Sequence, residues 1–205
     1  MPDPLISEDR PLILASASPR RRRLLTQIQI PFRVVPGDVD ESDTGHESQE
    51  ICRVLAREKA IRGHSLAGPS WVLGADSVVV IDDRVLGKPE DETEAAEMLG
   101  LLSGRAHRVI TGFCIVDPSG QAAHAEAVST TVCFKPLTHR EIETYIRTGE
   151  PFGKAGAYGI QGIGAFMVET ICGSYTNVVG LPVCAVIKGL LRVGAILEFP
   201  LTVSP

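Results

Sequence analysis

The apolar positions of the chain switch repeatedly between a two-residue and a 3.6-residue period, so strands and helices alternate. Leu12 to Ala15 forms a short buried strand. Ser18 suits a helix N-cap and Pro19 a first helical residue; Leu24, Leu25 and Ile28 face inward before Pro31 ends the helix. A second strand is predicted over Phe32 to Val35, and a helix from about Ser48 to His64 with Ile51, Val54 and Leu55 on its apolar side. Trp71 to Leu73 opens a strand that reaches Gly74-Ala75-Asp76 and stays extended over Val78 to Ile81. Asp82-Asp83-Arg84 reads as a hairpin turn before Val85-Leu86.

Further along, a helix from about Asp91 to Leu102 buries Ala95, Met98, Leu99 and Leu102, with Gly104 just past its end. Val109, Thr111, Phe113 and Ile115 alternate, as do Val128, Thr130, Val132 and Phe134; the turn Asp117-Pro118-Ser119-Gly120 between them makes an antiparallel pair. Thr138 and Glu141 form a capping box for a helix carrying Ile142, Tyr145 and Ile146. A glycine-rich stretch spans Gly149 to Gly164, a strand covers Phe166 to Ile171, and a last helix shows Val183, Val186, Ile187, Leu190 and Leu191 at helical spacing. No internal repeat and no separating linker occurs. These units predict an α/β fold on a mixed β-sheet flanked by helices, over residues 1–205 as one domain.

Composition narrows the partners. The 205 residues suffice for one well-filled core or one core with two lobes. A net charge of −5 and 5% aromatics argue against an RNA-binding module, a general nucleic-acid surface or an anionic membrane surface. Any anion site must therefore be a local concentration of cations. The five cysteines (52, 114, 133, 172 and 184) are odd in number and lack CxxC spacing, which predicts buried thiols in a reducing compartment. MPDPLISEDRP carries no apolar signal region and no run is long enough to span a bilayer, so a cytoplasmic protein is expected.

Four arginines, 20 to 23, crowd a predicted helix start, where the helix dipole disfavours positive charge. An anionic ligand would account for them: Arg20 and Arg21 would flank it, with hydroxyls from Ser16 and Ser18. GxxxxGK[ST] and GxGxxG are both absent, which excludes a P-loop and a Rossmann fingerprint. Asp38, Asp40, Glu41 and Asp43 could hold Mg²⁺ or Mn²⁺ together with phosphate oxygens, although the spacing fails the EF-hand pattern. Asp76 stands where apolar strand residues meet, a position that fixes its direction and calls for a partner or a metal. Spacing nominates Glu58 as an inward residue, with Lys59 a cation at the rim of its helix, and Lys88 follows a turn in LGKP. Within Gly153 to Gly162, Lys154, Tyr158 and Gln161 punctuate glycines that imply close backbone approach, and the Gln161 amide offers both donor and acceptor to a base edge.

Seven stretches occur in order over nearly the whole chain: LASASPRRRRLL, LAREKA, GADSVV, GKP, LSGRAHRVITG, GEPFGKAGAYGIQG and GSYTNVVGLP. Together they resemble the Maf family of nucleoside triphosphate pyrophosphatases. The resemblance implies an elongated two-lobed fold with a central cleft, related to the inosine triphosphatases, and hydrolysis of a nucleoside triphosphate to monophosphate and pyrophosphate with a divalent cation. GKAGAYGIQG resembles the branch acting on dTTP and UTP rather than the one acting on 7-methyl-GTP. Asp76 matches the family's general base, with a metal-ligand role shared with Glu41 as the alternative. Arg20, Ser77 and Gln161 match positions tied to substrate preference; Ser18, Arg21, Glu41, Lys59 and Lys88 match the polar cleft, and Lys154, in the glycine-rich stretch, is expected to bind substrate as well. Ser77 stands where many members have Thr, and Gly153 where many have Asp, which removes a carboxylate next to Lys154. A homodimer is implied by the family alone. A nucleotide-binding regulator of cell division without catalysis is the competing class; the presence of both Asp76 and Glu41 favours an enzyme.

Overall fold

The structure is a computed structural model in which residues 5–37, 39 and 48–201 are described. Its elements run β1 (Leu12–Leu14), α1 (Pro19–Gln27), β2 (Phe32–Val34), α2 (Ser48–Ala67), β3 (Val72–Ile81), β4 (Arg84–Leu86), α3 (Glu92–Leu102), β5 (Ala106–Val116), β6 (Ala122–Phe134), α4 (His139–Ile146), β7 (Val168–Cys172), α5 (Tyr175–Val179) and α6 (Val183–Arg192). Two 3-10 turns, Ala155–Ala157 and Ile163–Met167, break the glycine-rich stretch. The seven strands form one mixed sheet in the order β2-β1-β3-β5-β6-β7, with β4 paired to β3. The mixed-sheet α/β class expected from the sequence is the one observed.

The chain divides into two compact units. One comprises Met1–Asp76, Thr111–Val128 and Gly180–Pro205, the other Ser77–Ile110 and Ser129–Val179. In the first, β2 and β3 both run parallel to β1, with Leu14 level with Val34 and with Leu73. Parallel strands are covered on both faces, and β1 is buried throughout. Helix α2 packs there through small residues. Cys52, Ala56 and Ala60 are fully buried, and Ala56 and Ala60 pack with Ile13, Ala15, Val72 and Cys114. Facing them, Gly74 and Gly112 supply bare backbone. A Cβ on Gly74 would overlap the Ala56 carbonyl oxygen and lie 2.6 Å from the Ala60 nitrogen; one on Gly112 would overlap the Cys52 carbonyl. A strand glycine of this kind marks where a second backbone comes close.

The second unit has its own core, in which Val79, Leu99, Leu102, Val109, Phe134, Tyr145 and Tyr158 are packed together. Asp82 and Asp83 both adopt left-handed φ, 46° and 61°, which makes the tight hairpin turn into β4. The capping box of α4 is present in full, with the Thr138 hydroxyl accepting from Glu141 N–H and the Glu141 carboxylate accepting from Thr138 N–H. Helix α5 has no counterpart in the hydrophobic pattern. YTNVV is a poor helix former, and tertiary bonds fix it: Asn177 Nδ2 donates to the Val109 carbonyl and to Thr130 Oγ1, each at 2.9 Å.

Two departures from expectation concern burial, and a third the strand predicted from Phe166, which begins at Val168 after a 3-10 turn. Leu191 is exposed, because Gly189 takes the sheet side of α6 beside His124 and Ile115, which turns position 191 outward. The five cysteines are all free, but only Cys52 and Cys114 are buried; Cys172 and Cys184 are exposed. Burial pushes the Cys114 thiol up to about 11, against a smaller opposing pull from Arg57.

His107, at the start of β5, is 2% exposed, bonds through Nε2 to the Tyr158 hydroxyl at 2.9 Å, and meets the Phe134 ring edge-on. Its Nδ1 has no hydrogen-bond partner among the described residues. Burial lowers its pKa to about 4, so the folded state holds it neutral where the unfolded chain, near 6.5, takes a proton. Its contribution to stability is present above pH 6.5 and is lost as pH falls toward 4. Each pH unit inside that window is worth at most about 1.4 kcal/mol. In urea unfolding, wild type should therefore lose about 2 kcal/mol more than His107→Phe between pH 7 and pH 5. Equal losses in the two proteins would contradict a neutral buried imidazole.

Candidate active site

In the first unit the parallel strands β2, β1 and β3 all end in the same direction, and ligands of open α/β sheets gather beyond such carboxyl ends. After β1 come Ser16, Ser18 and the start of α1; after β2 comes Gly37 and then the acidic segment; β3 runs on to Asp76. Leu14 lies opposite Leu73 and Ala15 N–H donates to the Leu73 carbonyl at 2.9 Å, so Ser16 leaves β1 where β3 runs on toward Asp76. The sequence thus brings the hydroxyl-arginine turn and the strand carboxylate to the same end of the sheet. Asp38, Asp40, Glu41 and Asp43 lie outside the described residues.

Asp76 is buried, and Lys59 Nζ donates to its Oδ1 at 2.5 Å. The Lys59 and Asp76 side chains are 12% and 11% exposed, so the pair is shielded from water. This reverses the expectation from spacing: Lys59 points inward and Glu58 is exposed. The bulky residues Ile51, Val54 and Leu55 suggest one apolar stripe on α2. The contact with the sheet instead follows Cys52, Ala56, Ala60 and Gly63, since only small side chains let the helix lie this close. Lys59 borders that line, and a Cβ on Gly37 would overlap the Lys59 carbonyl oxygen.

The four arginines part company. Ser18 caps α1 as expected, accepting from Arg21 N–H. Arg21 is buried and ties α1 to its surroundings: Nη1 donates to Ser16 Oγ at 2.9 Å and Nε to the Gly180 carbonyl at 2.8 Å. Arg20 is half-buried, and the loss of solvent lowers its pKa from the ordinary arginine value. Arg22 and Arg23 are exposed.

Ser77, Lys88, Lys154 and Gln161 belong to the second unit. Ser77 follows Asp76 on β3 and points to the opposite pleat face. Val79 shares the Ser77 face, and a Cβ on Gly156 would sit 2.9 Å from it. Gly156 N–H also donates to the Gly87 carbonyl at 2.9 Å, which ties the glycine-rich stretch to the turn bearing the exposed Lys88. Lys154 Nζ donates to the Glu150 carbonyl, and Gln161 is exposed. The close approach that the glycines imply is internal here: Gly159, Gly162 and Gly164 crowd against Lys154, Glu150 and Tyr145. Glu150 is absent from the residues nominated by sequence, where its only signal is a lone acid opening a glycine-rich run. Burial pushes the Glu150 carboxyl up, but bonds from the Gly164 and Ile163 N–H groups and the Tyr145 hydroxyl, with Lys154 nearby, outweigh it and hold the group below the ordinary carboxylate range.

Among the described residues no three His, Cys, Asp or Glu side chains cluster as a metal site. A Mg²⁺ or Mn²⁺ ion bound with a polyphosphate needs only one or two carboxylates, the rest coming from phosphate oxygens and water. Asp76, an oxygen donor on β3 just beyond the strand's pairing with β1, fits that requirement.

These features define a mixed-sheet α/β protein with a lysine-paired carboxylate at the carboxyl end of parallel strands. The chain belongs to the Maf-like protein family, whose model matches residues 11–193. It is 49% identical to a dTTP/UTP pyrophosphatase of Syntrophotalea carbinolica over 93% of this chain and 88% of that protein. It is 50% identical to one of Citrifermentans bemidjiense (90% and 96%) and 47% identical to one of Halalkalibacterium halodurans (88% and 95%). Among solved structures, a HAM1 protein from Coxiella burnetii aligns at 15% identity with a TM-score of 0.42, covering 61% of this chain and 73% of that one. No described helix is long and apolar enough to cross a membrane.

Removing Lys59 leaves the Asp76 carboxylate in a site shielded from water. Lys59→Met should cost about 3 kcal/mol in urea unfolding at pH 7, in the range for breaking one side of a buried pair. A loss below about 0.5 kcal/mol would place the pair in the class of exposed, screened ion pairs.

Proposed function

We propose that the protein is a nucleoside triphosphate pyrophosphatase that hydrolyses dTTP and UTP to the monophosphate and pyrophosphate. The observation that carries the reading is the Lys59–Asp76 pair, a carboxylate oriented by strand and ammonium at the end of the parallel strands. The family membership and the activities named for the relatives support it.

Asp76 accepts a proton from water as that water attacks the α-phosphorus. The bond from the α-phosphorus to the α–β bridging oxygen breaks, and pyrophosphate leaves with the electron pair. Lys59 keeps the carboxylate in one orientation, so no reorganisation accompanies proton transfer. In the first unit Arg20 and Ser18 are the cation and hydroxyl suited to phosphate contacts, and in the second unit Lys88 and Lys154 are the corresponding cations. Arg21 acts through Ser16, to which it donates at 2.9 Å. Ser77 and Gln161 contact sugar and base. A divalent cation, Mg²⁺ or Mn²⁺, would be held by Glu41 or Asp76 together with phosphate oxygens and would supply charge neutralisation there. Electrostatic placement provides the larger part of the acceleration, and the base about 10²- to 10⁴-fold.

Asp76→Asn should keep the fold and lose about 10²- to 10⁴-fold in turnover. Wild type given dTTP with Mg²⁺ should release pyrophosphate rather than orthophosphate, and EDTA should stop it. Near-normal turnover by Asp76→Asn removes Asp76 from the chemistry. Absence of pyrophosphate from dTTP and UTP with either metal contradicts the activity itself.

A further inference from the structure

Gln161 is exposed, yet the backbone beneath it is fixed at both flanks by two side chains that no part of the proposed chemistry uses. The Gly162 N–H donates to the Gly159 carbonyl at 3.2 Å, closing a four-residue turn with Ile160 and Gln161 at its centre. Before the tip, the Gly159 N–H donates to the Tyr145 hydroxyl oxygen at 3.1 Å. After it, Ile163 N–H donates to Glu150 Oε2 and Gly164 N–H to Glu150 Oε1, each at 2.9 Å. The Tyr145 hydroxyl donates to Glu150 Oε1 at 2.9 Å, so the two anchors are also bonded to each other.

The seating is tight as well as bonded. A Cβ on Gly162 would overlap Glu150 Oε2, and one on Gly164 would lie 2.8 Å from the Tyr145 hydroxyl. Tyr145 is 2% exposed on α4, a helix whose start is locked by its capping box. Through Tyr145 the turn is thereby referenced to a rigid helix, and Glu150, four residues past the end of α4, is tied to that helix by its bond from the Tyr145 hydroxyl. Bonds from N–H groups to a carboxylate are among the stronger hydrogen bonds, and the one from Gly164 to Glu150 is shielded in part from water. A side chain that distinguishes bases by donor and acceptor must be placed to within about 0.5 Å, which is the task of residues behind it.

We propose that Tyr145 and Glu150 are positioning residues for base selection: they hold the turn of residues 159–162 so that the Gln161 amide meets the pyrimidine edge in one orientation. The inference rests on the reading of Gln161 as a base contact. Thymine and uracil present a ring N–H donor beside a carbonyl acceptor, whereas cytosine presents an acceptor beside an amino donor. A primary amide held in one orientation matches the first pattern and mismatches the second. An amide on an unfixed turn can rotate to suit either.

The test compares kcat/KM for dTTP, UTP and dCTP, with Mg²⁺, in wild type, Tyr145→Phe, Glu150→Gln, Gln161→Ala and the double variant Tyr145→Phe/Gln161→Ala. Tyr145→Phe keeps the ring and its packing; Glu150→Gln keeps the shape and exchanges one acceptor for a donor. Melting temperature is followed in each. Gln161→Ala should lower the preference for dTTP over dCTP about tenfold, the effect of one net hydrogen bond. Tyr145→Phe and Glu150→Gln should lower it by a similar factor, mainly through KM for dTTP with kcat little changed. The double variant should discriminate no worse than Gln161→Ala alone, because all act through one contact. If Gln161→Ala shifts the ranking while Tyr145→Phe and Glu150→Gln lower only the melting temperature, the inference is overturned and the base contact stands. If Gln161→Ala leaves the ranking unchanged, the base contact fails and the inference falls with it.

Discussion

The approach of helix α2 to the sheet, backbone against backbone, is the constraint from which the site follows. Cys52, Ala56, Ala60 and Gly63 on the helix meet Gly74, Gly112 and Ala15 on the strands with no room for another carbon. Neither hydrophobicity nor helix propensity demands such residues; larger apolar side chains would bury more surface. Their smallness sets the separation, and the separation lets a lysine on the helix flank reach a carboxylate on the strand at 2.5 Å. The ion pair in turn gives the buried Asp76 the partner that its desolvation requires. Packing and chemistry are therefore one problem here, solved by glycine and alanine.

The same economy recurs in the second unit. Glycines 156, 159, 162 and 164 appear in the sequence as a flexible run, but each sits against a neighbour, Val79, Lys154, Glu150 or Tyr145. The run is a seated turn whose polar backbone is satisfied by Glu150 and the Tyr145 hydroxyl. Glycine supplies proximity as well as conformational freedom: Gly156 does both, with a φ of 69° and contact with Val79.

Much of the fold is legible in the sequence because its signals are local. The Ser18 cap, the Thr138–Glu141 capping box, the Asp82-Asp83 turn and the stripe of Ala95, Met98, Leu99 and Leu102 depend on residues a few positions apart. Expectation and structure part where long-range contacts decide. Lys59 rather than Glu58 faces inward because the sheet selects small residues and not bulky ones. Leu191 turns outward because Gly189 faces His124, which is far earlier in the chain. Helix α5 exists because Asn177 bonds Val109 and Thr130. Of the candidate site, Asp76 is readable as a carboxylate among apolar strand residues, whereas its pairing with Lys59 joins elements whose spacing in sequence gives no sign of it. Glu150 is hidden for the same reason, since its backbone partners lie 13 and 14 residues away.

The most direct test is to add one carbon at Gly74 and look at the pair. A crystal structure of Gly74→Ala, with pyrophosphate release from dTTP measured alongside, should show α2 displaced, Lys59 Nζ beyond about 4 Å from Asp76 and turnover falling with it. Gly100→Ala, at a helix position with open space around it, should leave the pair and the rate as in wild type. A Gly74→Ala variant that keeps the 2.5 Å contact and full turnover would contradict the account, for the site would then owe nothing to the close packing of helix on sheet.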